Sequence, residues 1–321
     1  MSAQPAPEGA TRRARLLFIH AHPDDESLTT GLTMASYASR GHDVHLLTCT
    51  LGEEGEVIPP ALAHLGADLD DALGPWRREE LRAAMSVLGV AHSVLGEDPD
   101  RGVASRYRDS GMAGTASAEH PDAFVRADLD EAAALVAAHI KALQPDVVVT
   151  YDEHGGYAHP DHIQTHRVTM SALSALPALA EPDGVAGPVA YCILTPRSWA
   201  TQDRAWLRDN VVLNDDVAST RSNYVVPQQD APYPPSVVSD EIVTHVVEEP
   251  ALVDLQSRAL AQHATQVSVH DGYYTLSNHI ASRLPGREGF ARFDPITGQL
   301  VRGALGAPRH TGLLADSQGR G

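Results

Sequence analysis

The sequence has no apolar run approaching the roughly 20 residues that a membrane-spanning helix needs. Its opening stretch, Met1 to Arg13, is rich in Pro, Ala and Gly and lacks an apolar h-region, so no secretory signal peptide is expected. Positive charge is scarce. Lys and Arg number 24 against 42 Asp and Glu, a formal net charge of −18. So acidic a surface repels nucleic acid and anionic membrane, and neither is expected as a partner. Cysteine is nearly absent. Cys49 and Cys192 both stand in apolar runs and read as buried free thiols, which fits a reducing cytoplasm better than secretion. The turn after the first apolar run carries no Gly-x-Gly-x-x-Gly, which counts against a nucleotide-binding module.

What is present is a globular chain. Its 321 residues, 43% of them hydrophobic, are enough for a well-buried core. Short apolar runs at 15–20, 43–49, 92–95 and 147–151 read as buried strands. Helices are expected at 26–39, 76–88, 126–143 and 160–176, and Arg40-Gly41 and Gln144-Pro145 supply stop signals. The alternation predicts an α/β fold: a Rossmann-like, mostly parallel sheet with helices on both faces. In the common 3-2-1-4 order, strands one and four are neighbours across the topological switch point. Beyond residue 180 the pattern weakens. Strands are expected at 189–195 and 242–247 and a helix at 250–264. The organisation predicted is a flexible tail at 1–12, a single α/β domain at 13–304 and a loose tail at 305–321. Within the domain, 13–185 is the Rossmann-like core and 186–304 completes the substrate cleft.

Leu16-Leu17-Phe18-Ile19 runs straight into His20-Ala21-His22-Pro23-Asp24-Asp25-Glu26-Ser27. Pro23 ends the strand, and the acids and Ser27 suit a helix start. The knot of polar residues therefore lies at the carboxyl end of a strand, where open α/β sheets bind ligands. His22 offers an imidazole and Asp25 a carboxylate. A catalytic metal site needs a third ligand and an open position. A candidate lies downstream in Gly155-Gly156-Tyr157-Ala158-His159-Pro160-Asp161-His162, again just after an apolar strand. One His–Asp pair alone reads first as a helix cap. Two such clusters at the ends of adjacent strands point to one shared metal site. Only one of Asp24 and Asp25 needs to bind the metal, and the other is then free to take a proton from water.

The Ala-His-Pro-Asp-Asp-Glu segment followed by His-Pro-Asp-His after a strand resembles the LmbE/PIG-L family of metal-dependent N-acetylglucosaminyl deacetylases. Three more stretches, 48–58, 106–112 and 263–267, are similar to the mycothiol-pathway members of actinobacteria, which remove acetate from N-acetylglucosaminyl-inositol. The resemblance implies one Zn2+ per chain, with Fe2+ as the alternative, held by His22, Asp25 and His162. It implies Asp24 as general base, with His159 and Tyr157 facing the developing oxyanion or the leaving amine and Asp161 orienting His159. Arg77, Asp109 and Glu56 match substrate-contacting positions and are expected to recognise hydroxyls of a small amino-sugar–inositol substrate. His159 is expected to be the protonated acid behind a bell-shaped pH profile.

Plainer readings stand beside these. Arg77 also reads as a solvated helix-start residue, Asp109 as a turn former, His263 as a helix-end histidine and His20 as a satisfied core histidine. A mycothiol S-conjugate amidase shares the chemistry. A two-His-one-carboxylate Fe(II) enzyme shares the ligand types, but such sites usually sit in a jelly roll.

Overall fold

The first apolar run forms β1, Arg15–His20, with five of its six residues buried. Leu17 and Ile19 face one side of the sheet and Leu16 and Phe18 the other, so the strand needs no polar alternation. The following strands are β2 (Asp43–Thr48), β3 (Ala91–Val94), β4 (Val147–Tyr151) and β5 (Val189–Ile193). β1 pairs in parallel with both β2 and β4, β2 with β3, and β4 with β5. The predicted 3-2-1-4 order is therefore present. Strand Arg287–Phe293 extends the sheet antiparallel to β5, and His245–Glu248 and His310–Thr311 complete eight strands. This computed structural model describes residues 12–176, 187–211, 224–302 and 307–314.

The helices are α1 (Asp25–Thr29), α2 (Gly31–Ser39), α3 (Leu73–Leu88), α4 (Leu129–Leu143), the single turn α5 (Gly155–Ala158), α6 (Pro160–Ala175), α7 (Arg197–Asn210) and α8 (Val253–Leu260). Leu17, Ile19 and Val148 pack with Val136 and Ile140 of α4 and Val168 of α6. On the opposite face Leu16, Phe18 and Val149 pack with Met34 of α2, Leu81 and Met85 of α3 and Ala259 of α8. Helices thus cover both faces, as the alternation predicts. Among the described residues no helix is long and apolar enough to cross a membrane.

The expected helix over 26–39 is broken at Thr30, whose φ of −137° is not helical. The cause lies far along the chain. Glu288, on strand Arg287–Phe293, accepts hydrogen bonds from the Leu32 and Thr33 amides, each at 2.9 Å. It supplies the cap for a fresh N-terminus at α2. Glu288→Ala should orphan these two amides and cost about 1–3 kcal/mol of stability. Urea unfolding should show a lower midpoint at unchanged slope, and an unmoved midpoint would show that water replaces the cap.

The later expectations shift more. The strand placed at 242–247 is His245–Glu248, after a 3-10 turn at Asp240–Ile242, and the helix placed at 250–264 is confined to Val253–Leu260. Of the expected tail at 1–12, only Arg12 falls within the described residues. The expected loose end at 305–321 needs correction over 310–313. His310–Thr311 pairs with His245–Glu248, Leu313 is fully buried, and its amide donates to the Tyr37 hydroxyl oxygen at 2.6 Å. An open strand edge and an apolar pocket claim what the Gly-rich composition hid.

Candidate metal centre

β1 and β4 are parallel neighbours, so their carboxyl ends open on the same side of the sheet. His22 and Asp25 follow β1, and His159 and His162 follow β4 through the α5 turn. Gly155 makes that turn possible. It has φ of +63°, and a Cβ there would lie 2.6 Å from the Ile163 amide nitrogen.

His22 Nδ1 lies 3.2 Å from Asp25 Oδ2, His162 Nε2 lies 3.2 Å from the same oxygen, and the two imidazole nitrogens are 3.4 Å apart. Three donors at the corners of a tetrahedral face, each about 2.0–2.1 Å from a common ion, stand about 3.3–3.4 Å from one another. The residues fit a divalent cation. All three are buried. Burial alone would raise the Asp25 carboxyl, but the imidazoles of His162 and His22 outweigh it and hold Asp25 well below the usual range.

The other nitrogen of His22 is engaged separately. Nε2 lies 3.3 Å from Asp161 Oδ2 and 3.4 Å from Asp109 Oδ1. Carboxylates at Nε2 place the proton there and turn the Nδ1 lone pair toward Asp25 and His162. Asp161 Oδ2 also accepts from the Ser110 amide at 2.8 Å. This corrects one expectation: the carboxylate of Asp161 orients His22, not His159. Only its backbone N–H reaches His159, at Nδ1, 3.2 Å away.

That bond defines His159. It is the N-cap of α6, so Nδ1 accepts and Nε2 carries the proton. Burial first, then the nearby His22 and His162, pull its imidazole down to about 3. His159 is therefore a neutral donor, which corrects the expectation of a protonated acid. Its ring centroid lies 4.7 Å from that of His22 and 4.9 Å from that of His162. Tyr157 is half exposed at 53%, with its ring edge over His162 at 5.0 Å.

Asp24 sits at φ of +113°, a region that costs a non-glycine residue about 1–3 kcal/mol. Its amide donates to Glu26 Oε2 at 2.9 Å, and its carboxylate meets the Arg77 guanidinium at 3.2 Å. Burial pushes the Asp24 carboxyl up to about 7 against the pull of Arg77. A base near neutrality is what proton transfer at ordinary pH asks for.

Arg77 and Asp109, expected as substrate contacts, are both buried. Arg77 is 3% exposed, and its fork donates to the carbonyls of Pro23 and Gly52 and to Asp24. A Cβ on Gly52 would lie 2.0 Å from that guanidinium, and φ of +67° there also suits glycine alone. Asp109 is 4% exposed, and its carboxylate accepts from the Gly111 and Glu54 amides while facing His22. Both residues build the wall behind the site. Glu56 is exposed on the loop beside it.

Sequence reasoning missed Tyr151. Its hydroxyl donates to Asp25 Oδ2 at 2.8 Å and accepts from the Ala21 amide at 3.0 Å. The signal was a hydroxyl at the end of a wholly buried strand, which needs a partner. His20 is a satisfied core histidine, bonded to Thr30 at 2.9 Å and facing the Tyr151 hydroxyl at 3.2 Å.

A family model described as PIG-L, GlcNAc-PI de-N-acetylase, matches residues 17–173. The 1D-myo-inositol 2-acetamido-2-deoxy-alpha-D-glucopyranoside deacetylase of Streptomyces avermitilis is 45% identical over 94% of this chain and 96% of its own. The chain belongs to the PIG-L family. The deacetylase of the same name from Thermomonospora curvata is 43% identical over 95% of this PIG-L chain and 97% of its own. Among solved structures, N,N'-diacetylchitobiose deacetylase from Pyrococcus horikoshii aligns at 19% identity with a TM-score of 0.47, over 78% of this chain and 70% of that one. The PIG-L match holds every candidate ligand and stops in α6. His263 and Gln266 lie beyond it.

Proposed function

We propose that this PIG-L protein is a metal-dependent hydrolase that removes acetate from 1D-myo-inositol 2-acetamido-2-deoxy-alpha-D-glucopyranoside, in mycothiol biosynthesis. The carrying observation is the convergence of His22, Asp25 and His162 donors at 3.2–3.4 Å beside a carboxylate poised near neutrality. Near-complete alignment with deacetylases of that name supports the substrate. Two imidazoles and one carboxylate suit Zn2+, one per chain, and Fe2+ would accept the same set. Bound there, the cation would polarise the acetamide carbonyl and acidify water.

The protein's own groups do the rest. Asp24 takes a proton from the attacking water as its oxygen adds to the carbonyl carbon. The His159 Nε2–H and the Tyr157 hydroxyl donate to the oxygen that gains charge. Asp24 then hands its proton to the amide nitrogen as the C–N bond breaks, leaving acetate and a free amine. Glu56 and Gln266 reach the sugar or inositol hydroxyls; a Cβ on Gly55 would lie 2.6 Å from Gln266 Oε1, so both border one loop. One α/β domain supplies all these groups, with the part beyond residue 186 completing the cleft. The buried thiols Cys49 and Cys192 favour the cytoplasm.

Acetate release should be fast on N-acetylglucosaminyl-inositol, slower on N-acetylglucosamine, and slow on a mycothiol S-conjugate. Faster turnover of the conjugate would replace the deacetylase with an amidase.

The pH profile tests the assignment of His159. kcat/KM should rise with pH as Asp24 loses its proton, at or below about 7, because a nearby cation favours the carboxylate. His159, already neutral, adds no limb on the basic side. His159→Ala should lower kcat about 100-fold and leave the shape of the profile unchanged. A basic limb that vanishes in this variant would make His159 the proton donor after all.

A further inference from the structure

The strained backbone of Asp24 is held from behind by a buried pair of residues far apart in the chain. Glu26 is fully buried. Its Oε2 accepts the Asp24 amide at 2.9 Å, and its Oε1 accepts the Ser27 hydroxyl at 2.6 Å. The same Oε1 lies 2.9 Å from His263 Nε2, from a residue also fully buried and 237 positions away. A buried carboxylate survives only if its charge is paired and its lone pairs are filled. The Glu26 carboxylate raises the His263 imidazole against the pull of burial, and the 2.9 Å contact fills Oε1. His263 follows α8, and its loop is pinned in turn. Glu80 accepts the Thr265 amide at 2.9 Å and the Thr265 hydroxyl at 2.7 Å, and the Thr265 carbonyl accepts from Ile58 at 2.9 Å.

We propose that His263 is a positioning residue for the hydrolysis: through Glu26 it fixes the peptide of Asp24 and so aims the carboxylate that acts as base. His263 touches neither substrate nor the candidate ligands. Its removal takes away the contact that holds the Glu26 carboxylate in place, so Glu26 can swing off the Asp24 amide and the peptide can relax out of its positive φ. The loss should fall on kcat, not on metal binding or KM. This inference rests on the reading of Asp24 as base.

The test is a double-mutant cycle on the full-length, metal-loaded protein, with kcat, KM, metal content and circular dichroism measured for each variant. His263→Ala should lower kcat about tenfold or more with KM within about twofold of wild type and metal content unchanged. In an Asp24→Asn background the same change should cost less than about twofold, because the group it positions is already gone. His263→Gln, which keeps an N–H at similar reach, should recover part of kcat, and it carries the cycle if the alanine variant does not fold. Equal losses in both backgrounds, or wild-type kcat in His263→Ala, overturn the proposal while leaving Asp24 as base. Wild-type kcat in Asp24→Asn sinks the base assignment itself and this inference with it.

Discussion

Purified His162→Ala protein should carry almost no divalent metal and show no measurable deacetylase activity, with its secondary structure kept. His162 provides one of the three donors assigned to the cation, and its Nε2 stands 3.2 Å from Asp25 and 3.4 Å from His22. Two donors cannot hold a cation against water as three do. Asp161→Asn is the graded comparison. It removes one of the two charges that keep the His22 proton on Nε2, and outer partners of this kind typically contribute about 10–100-fold, so a loss of about that size in metal affinity is expected. Elemental analysis and metal titration read both. Full metal occupancy in His162→Ala would move the third ligand to His159, whose donor atom lies within 4.8 Å of those of His22 and His162.

Asp24→Asn should do the opposite: keep its metal and lose most of its turnover. Asparagine preserves shape and tolerates a positive φ, so the backbone at +113° should survive the change. It cannot take a proton from water. General base catalysis typically contributes 10²–10⁴, so a fall of about that size in kcat is expected, with KM little changed. The hydrogen bond from Arg77 would meet an amide oxygen in place of a charge, which costs little beside the loss of the base. An Asp24→Asn protein that fails to load metal would make Asp24 a ligand.

How far these residues could be read in the sequence follows how local their partners are. His22 and His162 could be paired from the sequence because each lies beyond an apolar strand of the parallel sheet and shares a short segment with an acid. The parallel sheet followed from the alternation, and its 3-2-1-4 order from the common order of such sheets. The break at Thr30 was not legible, because Glu288 caps α2 from the far end of the chain. The role of Asp161 was misread for the same reason. Its neighbour in sequence is His159, but its carboxylate reaches His22 and the Ser110 amide across the sheet. The contact of Arg77 with the Asp24 turn was not legible, because its position in the chain says only that it lies near a helix start. The end of the chain was judged by composition, which cannot see that Tyr37 and an open strand edge await it.

The separation of His263 from the ligands has a consequence for synthesis. A chain emerging from the ribosome exposes His22, Asp25 and His162 while some hundred residues before His263 are still unmade. On the proposal that His263 aims Asp24, the base is set only once the last third of the chain has docked.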